Sequence, residues 1–170
     1  MNDSQIRMLL PDGSLEDEVL KLFSDASMPI IVSSRSYEAS IANSHGHFSK
    51  IKLMRPQEIP LYIAEGIFDA GITGQELVKE QSCEGRVVEV MPLPLSKKGY
   101  GQVSIVLAVA EDSKVISPEE LNGKKIATEL PTLTREYFEK KNIGVEILPS
   151  YGATESKIPE IADAIVEISE

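Results

Sequence analysis

The chain has 170 residues, a net charge of −10, an ordinary apolar fraction and a single cysteine. That length holds one ordinary domain or two small ones, and no apolar run approaches the roughly 20 residues that cross a bilayer as a helix. The charge leaves no basic face for nucleic acid, because Lys97-Lys98, Lys124-Lys125 and Lys140-Lys141 are isolated pairs, and the lone Cys83 excludes a disulfide framework or a thiolate metal cluster.

The start, "MNDSQIRMLLPDGS", has neither the basic stretch nor the long apolar core of a signal peptide. The expectation is therefore a cytoplasmic protein with no nucleic-acid and no membrane partner. An acidic surface still admits a small anionic ligand, since helix N-termini and a few arginines make a cleft locally positive.

"IRMLLP" (6–11) reads as a short buried strand, broken by "DGS". Leu15, Val19, Leu22, Phe23 and Ala26 then recur at helical spacing, with Ser14 and Asp17 placed as a capping box. "PIIVSS" (29–34) predicts a second strand, "IANSHGHFS" (41–49) a loop or hairpin tip, and "KIKLMR" (50–55) a strand. Pro56 opens a helix that Gly66 closes, with Pro60 in its first turn. "DAGITG" (69–74) predicts a short strand running into a glycine turn, "QELVKEQS" a helix, and "RVVEVMPLPL" (86–95) a strand that leaves through prolines.

Proline, glycine and charge crowd together in "PLPLSKKGYGQ" (92–102), which marks a break. Beyond it, "VSIVLAVAE" (103–111) reads as a central strand and "SPEELNGKK" (117–125) as a short helix capped by Ser117. "IATE" is a strand. "PTLTREYFEKKNIG" is a helix with Tyr137 and Phe138 facing inward and Asn142 or Gly144 as its stop. "VEILPS" is a strand, "GATESKIPEIA" a loop with a short helix, and "DAIVEIS" a strand. Strands alternate with helices on both sides of the break. The expected organisation is two α/β lobes, residues 1–95 and 96–170, with a small-molecule cleft at their junction.

Few motifs speak by themselves. "HGHF" (45–48) pairs two histidines, but no third ligand has a defined position, so it reads as a polar loop and no metal site is assigned. "DAGITG" is either a tight turn needing positive φ at Gly71 or Gly74, or backbone brought close to a ligand with Asp69 accepting hydrogen bonds. "SYGATESK" has the small residues of an anion-binding nest. Arg35 and Arg55 follow predicted strands, where an arginine is either solvated or set to fork onto phosphate. "ADAIVEISE" is an apolar strand that delivers Glu167 to its C-terminal end. It is either an ordinary strand with a polar end or the acidic part of a phosphoribosyl-pyrophosphate site, where a carboxylate accepts from ribose hydroxyls.

Several segments taken together, "RPQEIP", "DAGITG", "IATELPTLTREYF" and "ADAIVEISE" above all, resemble the ATP phosphoribosyltransferases, the first enzymes of histidine biosynthesis. Order and spacing are kept over essentially all 170 residues. The resemblance implies an α/β, two-lobed fold like type II periplasmic binding proteins, with mixed, mostly parallel sheets. It implies that ATP and phosphoribosyl pyrophosphate meet in the cleft and that adenine N1 attacks ribose C1. Pyrophosphate leaves with Mg²⁺, which arrives with the substrate. It also implies a homodimer or higher homo-oligomer. By the same resemblance Glu167 is the acid on the ribose hydroxyls, and Asp69, Ala70 and Thr73 lie near the nucleotide. Arg35 and Arg55 contact phosphate, and Glu155 and Ser156 face the cleft. No side chain is assigned as a nucleophile, because such a reaction is catalysed by positioning and charge stabilisation.

Two departures from the family pattern stand out. Asp12 in "PDGSL" occupies a place where the family commonly has lysine. The Thr-Gly phosphate loop that follows the closing acid in the family is not among these residues, which leads to the expectation of a truncated, catalytically weak chain. The alternative reading is a non-catalytic, two-lobed small-molecule binding or regulatory module.

Overall fold

A computed structural model describes residues 5–33, 37–43, 46–93, 95 and 103–169. Arg35, His45 of the histidine pair, Glu170 and the crossover residues 96–102 with Lys97-Lys98 lie outside the described residues. The chain divides into two compact units, Met1–Gln102 and Val103–Glu170. The α/β class read from the alternating pattern holds in both, and each unit is built on one mixed sheet.

The first unit begins with β1 (Ile6–Pro11), whose apolar run is buried on both faces. Strand alternation sends Leu9 and Leu10 to opposite sides. Leu10 packs with Val19, Ile41 and Ile51. Leu9 packs with Ile59 and Phe68. Both leucines are essentially inaccessible, and each contributes about 1.5–3 kcal/mol by its burial. Parallel partners flank β1: β4 (Phe48–Met54) on one side and β5 (Ala70–Gly71) on the other. The sheet extends through β3 (Glu38–Ile41), antiparallel to β4, and ends at β2 (Ile30–Val32). β3 was not expected. Its sequence is short and half polar, and only Ile41 is buried, so it carries too little apolar pattern to read as a strand.

The helix α1 (Glu16–Asp25) carries Val19 into the core and three acids in its first turn, where the dipole favours them. The capping box is not formed. Gly13, at φ 79°, starts a 3-10 turn over Gly13–Leu15 that draws Ser14 into helical geometry and away from the cap position. The helix α2 (Ile59–Ala64) starts later than Pro56, and it is Pro60 that occupies the helical N-terminus. α2 closes at Gly66 (φ 70°), after which the Ile67 amide donates to the Tyr62 carbonyl at 3.0 Å. The helix α3 (Gln75–Glu80) follows the β5 turn as expected. The strand expected over 86–95 is not present among the described residues. Val87 makes one isolated bridge with Glu84, and Val88 and Val90 are 86% and 92% exposed, so the apolar alternation there has no sheet to join.

The second unit orders its strands β6 (Ser104–Ala108), β9 (Ala164–Ser169), β7 (Lys125–Thr128), β8 (Glu146–Pro149). β7 is parallel to both of its neighbours, and β6 is antiparallel to β9. β6, expected at the centre, is the outer strand, and Val103, Ile105 and Val106 remain exposed. Continuous apolarity does not distinguish a central strand from an edge whose outer face awaits cover. The short helix expected after Ser117 is a 3-10 turn over Pro118–Leu121.

The helix α4 (Pro131–Lys140) buries Thr134 and Phe138 one turn apart but leaves Tyr137 exposed, against the expectation that both rings face inward. α4 stops at Asn142 (φ 57°). The Ile143 amide donates to the Phe138 carbonyl at 3.0 Å, and the Asn142 amide donates to Glu139 at 2.9 Å. Phe138, Ile143, Leu121, Ile126, Ala164 and Val166 form one face of the core, and Ala127, Ala162 and Ile165 form the other.

Candidate functional site

In the second unit the connections around β7 run to opposite sides. Through α4 the chain reaches β8 on one side, and from β8 it returns through a 3-10 turn (Thr154–Lys157) to β9 on the other. A parallel sheet opens a crevice at the C-terminal ends of the strands where the winding reverses, and ligands of open α/β sheets bind there. β7 and β9 flank that point. Thr128 pairs with Val166, so Glu129 after β7 comes level with Glu167 on β9.

The surrounding hydroxyls are committed to shaping this edge. The buried Thr128 hydroxyl accepts from the Leu130 amide at 2.9 Å and from the Thr134 hydroxyl at 3.3 Å, which fixes the exit from β7 into α4. The Ser150 amide donates to the Thr128 carbonyl at 2.7 Å, holding the end of β8 alongside. Buried Ser150 shares a 2.8 Å hydrogen bond with the buried Thr154 hydroxyl, and the Lys157 ammonium donates to Ser150 Oγ. Ala153 takes a left-handed conformation (φ 46°), and Ser156 Oγ donates to its carbonyl at 2.7 Å. Glu167 is half-buried, with Oε1 accepting from the Ile168 amide at 3.3 Å. Glu129 is also half-buried, and its carboxyl is pushed up from the ordinary value by burial first, then by Glu167, with Lys157 opposing and Glu155 adding to the rise.

Of the residues singled out from sequence, Glu167, Glu155 and Ser156 meet at this edge. Ser156 spends its hydroxyl on its own turn, while Glu155 is exposed. Glu129, Lys157 and Ser150 were missed. The signal for Glu129 was available: it is an acid at the end of the apolar strand "IAT", the same pattern that singled out Glu167.

The first unit treats its candidates differently. Asp69 lies level with Arg7, near the start of β1, and Arg7 holds its carboxylate. It accepts from Arg7 Nη2 at 2.6 Å, from Arg7 Nε at 3.0 Å and from the Arg7 amide at 2.8 Å. Those hydrogen bonds, from the side chain first and then the amide, hold its carboxyl down from 3.8 to about 2. Asp69 thus clamps the entry into β5. Ala70 pairs with Met8 inside the sheet. Thr73 lies at the opposite, C-terminal edge, where its hydroxyl donates to the Pro56 carbonyl at 2.8 Å. Arg55 is exposed at that same edge, directly after β4.

The glycines of "DAGITG" do not have the positive φ expected of them. At Gly71 the demand is for space: a Cβ there would lie 2.6 Å from Ile59 Cγ2 and 2.8 Å from Ile63 Cδ1, so α2 rests directly on the β5 backbone. Gly74 is extended at the start of α3 and lies under the Glu76 carboxylate. Among the described residues no group of three or more His, Cys, Asp or Glu side chains is placed to hold a metal ion, and no helix is long and apolar enough to cross a membrane.

The sequence model of the ATP phosphoribosyltransferase family (HisG) matches residues 55–170. An ATP phosphoribosyltransferase of Thermodesulfovibrio yellowstonii is 42% identical over 170 residues, covering 100% of this chain and 56% of that protein. The one from Geotalea daltonii is 43% identical over 162 residues, covering 95% of this chain and 54% of its own length. The chain therefore spans about half the length of these relatives. Among solved structures, an ATP phosphoribosyl transferase (HisG:HisZ) complex from Thermotoga maritima has the same fold, with a TM-score of 0.76 over 98% of this chain and 75% of that one at 24% identity. With its family match running through α2, the β5 turn, α4 and the Glu167 strand, this chain belongs to the ATP phosphoribosyltransferase (HisG) family.

Proposed function

We propose that the chain forms the substrate-binding region of an ATP phosphoribosyltransferase. In that reaction adenine N1 of ATP bonds to ribose C1 of phosphoribosyl pyrophosphate. The bond from C1 to the pyrophosphate oxygen breaks, and its electron pair leaves with pyrophosphate. The observation that carries this reading is Glu167, half-buried at the winding reversal of the second sheet in a chain of this family. A carboxylate there accepts from the ribose 2′ and 3′ hydroxyls and fixes the sugar as C1 gains positive character. Arg55 and the arginine at 35 supply phosphate contacts, and Thr73 with Ala70 borders the nucleotide. Asp69, held by Arg7 and still partly exposed, lies at the start of the same turn, near the nucleotide. Mg²⁺ enters as part of the substrate, bound to pyrophosphate, and needs no resident cluster of protein ligands. The protein works in the cytoplasm as a homo-oligomer.

The test is pyrophosphate release. The 170-residue chain, and the same chain extended by a Thr-Gly phosphate loop of the family kind, are given ATP, phosphoribosyl pyrophosphate and Mg²⁺. Release that requires both substrates in either form supports the proposal. A folded protein that binds one ligand and never releases pyrophosphate is a binding module instead.

A further inference from the structure

The first sheet also reverses its winding. From β1 the chain goes by way of α1, β2 and β3 to β4 on one side, then through α2 to β5 on the other. The crevice that an open α/β sheet offers to ligands therefore lies at the C-terminal ends of these three parallel strands. Asp12 follows β1 there, residues 55–58 follow β4, and residues 72–74 follow β5. Three hydrogen bonds fix this edge. The Asp12 amide donates to the Met54 carbonyl at 2.9 Å, the Glu58 amide to the Arg55 carbonyl at 2.9 Å, and the Thr73 hydroxyl to the Pro56 carbonyl at 2.8 Å.

Gln57 stands in the middle of the turn after β4. Among the described residues, its Oε1 is the one buried side-chain oxygen or nitrogen that makes no hydrogen bond. Native interiors leave few such groups unanswered, because a buried acceptor has given up water without a replacement. The residue as a whole is only half-buried, so rotation about its side-chain bonds brings the carboxamide to the strand edge. A donor at that edge is a better partner than the place where Oε1 rests. The carboxamide presents one acceptor beside one donor. Adenine carries the complement on its N6 amine and N7. Guanine carries two acceptors there, O6 and N7, and one of them opposes Oε1 whichever way the amide is turned. Reading through N6 and N7 also leaves N1 unengaged, and N1 is the atom that bonds to ribose C1 in the reaction proposed above.

We propose that Gln57 is the specificity-determining residue for the base: its Oε1 accepts from the adenine N6 amine while Nε2 donates to N7, at the winding reversal of the first sheet. The identity of the base rests on the functional reading above; the unanswered acceptor does not.

The experiment is a calorimetric titration of the 170-residue chain with ATP, GTP and purine riboside triphosphate, which lacks the N6 amine, beside a melting curve for each variant. The wild-type chain binds ATP about tenfold more tightly than either of the others. In Gln57→Leu the advantage of ATP over purine riboside triphosphate disappears. The variant melts no lower, because the substitution removes a buried acceptor along with the reading group. Gln57→Glu keeps the advantage, since its carboxylate still accepts from the amine. Should Gln57→Leu not fold, Gln57→Met is read in the same way. A folded Gln57→Leu chain that still prefers ATP over purine riboside triphosphate overturns the proposal, and Oε1 is then answered by water only. A wild-type chain that binds all three nucleotides equally overturns the base reading and leaves the functional reading standing. A folded wild-type chain that binds no nucleotide overturns both.

Discussion

Each unit sets acid beside a short strand, and the two units treat it in opposite ways. In the first, Arg7 surrounds Asp69 with three donors and holds its carboxyl at about 2. In the second, burial first and the neighbouring Glu167 next push the Glu129 carboxyl up. A carboxylate already held by three donors has less to gain from a further one. A carboxylate that is partly buried and crowded by its own sign gains from each new donor.

The largest expected effect separates these roles. Glu167→Gln lowers kcat/KM for phosphoribosyl pyrophosphate by about 100-fold, the loss of one or two charge-assisted hydrogen bonds worth about 1.5–3 kcal/mol. The thermal midpoint is unchanged, as pyrophosphate-release kinetics beside a melting curve will show. If stability falls instead, Glu167 is structural and the contrast collapses.

Next in size is Gly71→Ala, which destabilises the chain by about 1–3 kcal/mol through overpacking against Ile59 and Ile63. It is read from the urea midpoint.

The third effect is acid sensitivity from Asp69. Its folded value lies below the ordinary one, so the native state holds fewer protons between pH 3.8 and about 2. Its stabilisation is complete above that window and is lost as pH falls through it. Arg7→Met removes the loss, measured as the slope of stability against pH.

The smallest effect has the opposite sign. Because the Glu129 value is raised, the native state holds a proton that the unfolded chain has released, and stability falls as pH rises between the two values. Glu129→Gln flattens that fall, as denaturation at a series of pH values will register.

Much of the architecture was legible from residue patterns. β1, α1, β4, α4 and β9 show clear periodicity or unbroken apolar runs bounded by glycine or proline. β3 escapes because half its residues face outward and are polar, and 86–91 reads as a strand because alternation reports a face without reporting a neighbour to cover it. Tyr137 reads as inward because it and Phe138 follow Thr134 by three and four residues, spacings that both reach the buried face, and only the packing against the sheet selects Phe138. At the strand ends of the second unit, the placement of Glu167 was legible because an apolar strand delivers it. Arg7 was not, since an arginine inside a buried strand announces a partner without naming it. Lys157 depends on Ser150, and that contact across a turn exists only after the sheet has formed.

Two glycines make the same letter mean different things. Gly66 ends α2 in the left-handed region with nothing within 4 Å of where a side chain would begin, and Asn142 performs the same service at the end of α4. Position 66 therefore specifies a handedness, and asparagine is an acceptable synonym. Position 71 specifies a volume, with Ile59 and Ile63 already occupying the place of a methyl group. In a library of variants the first site will drift and the second will not, so the first unit's tolerance of change is set by how closely a helix lies on a strand.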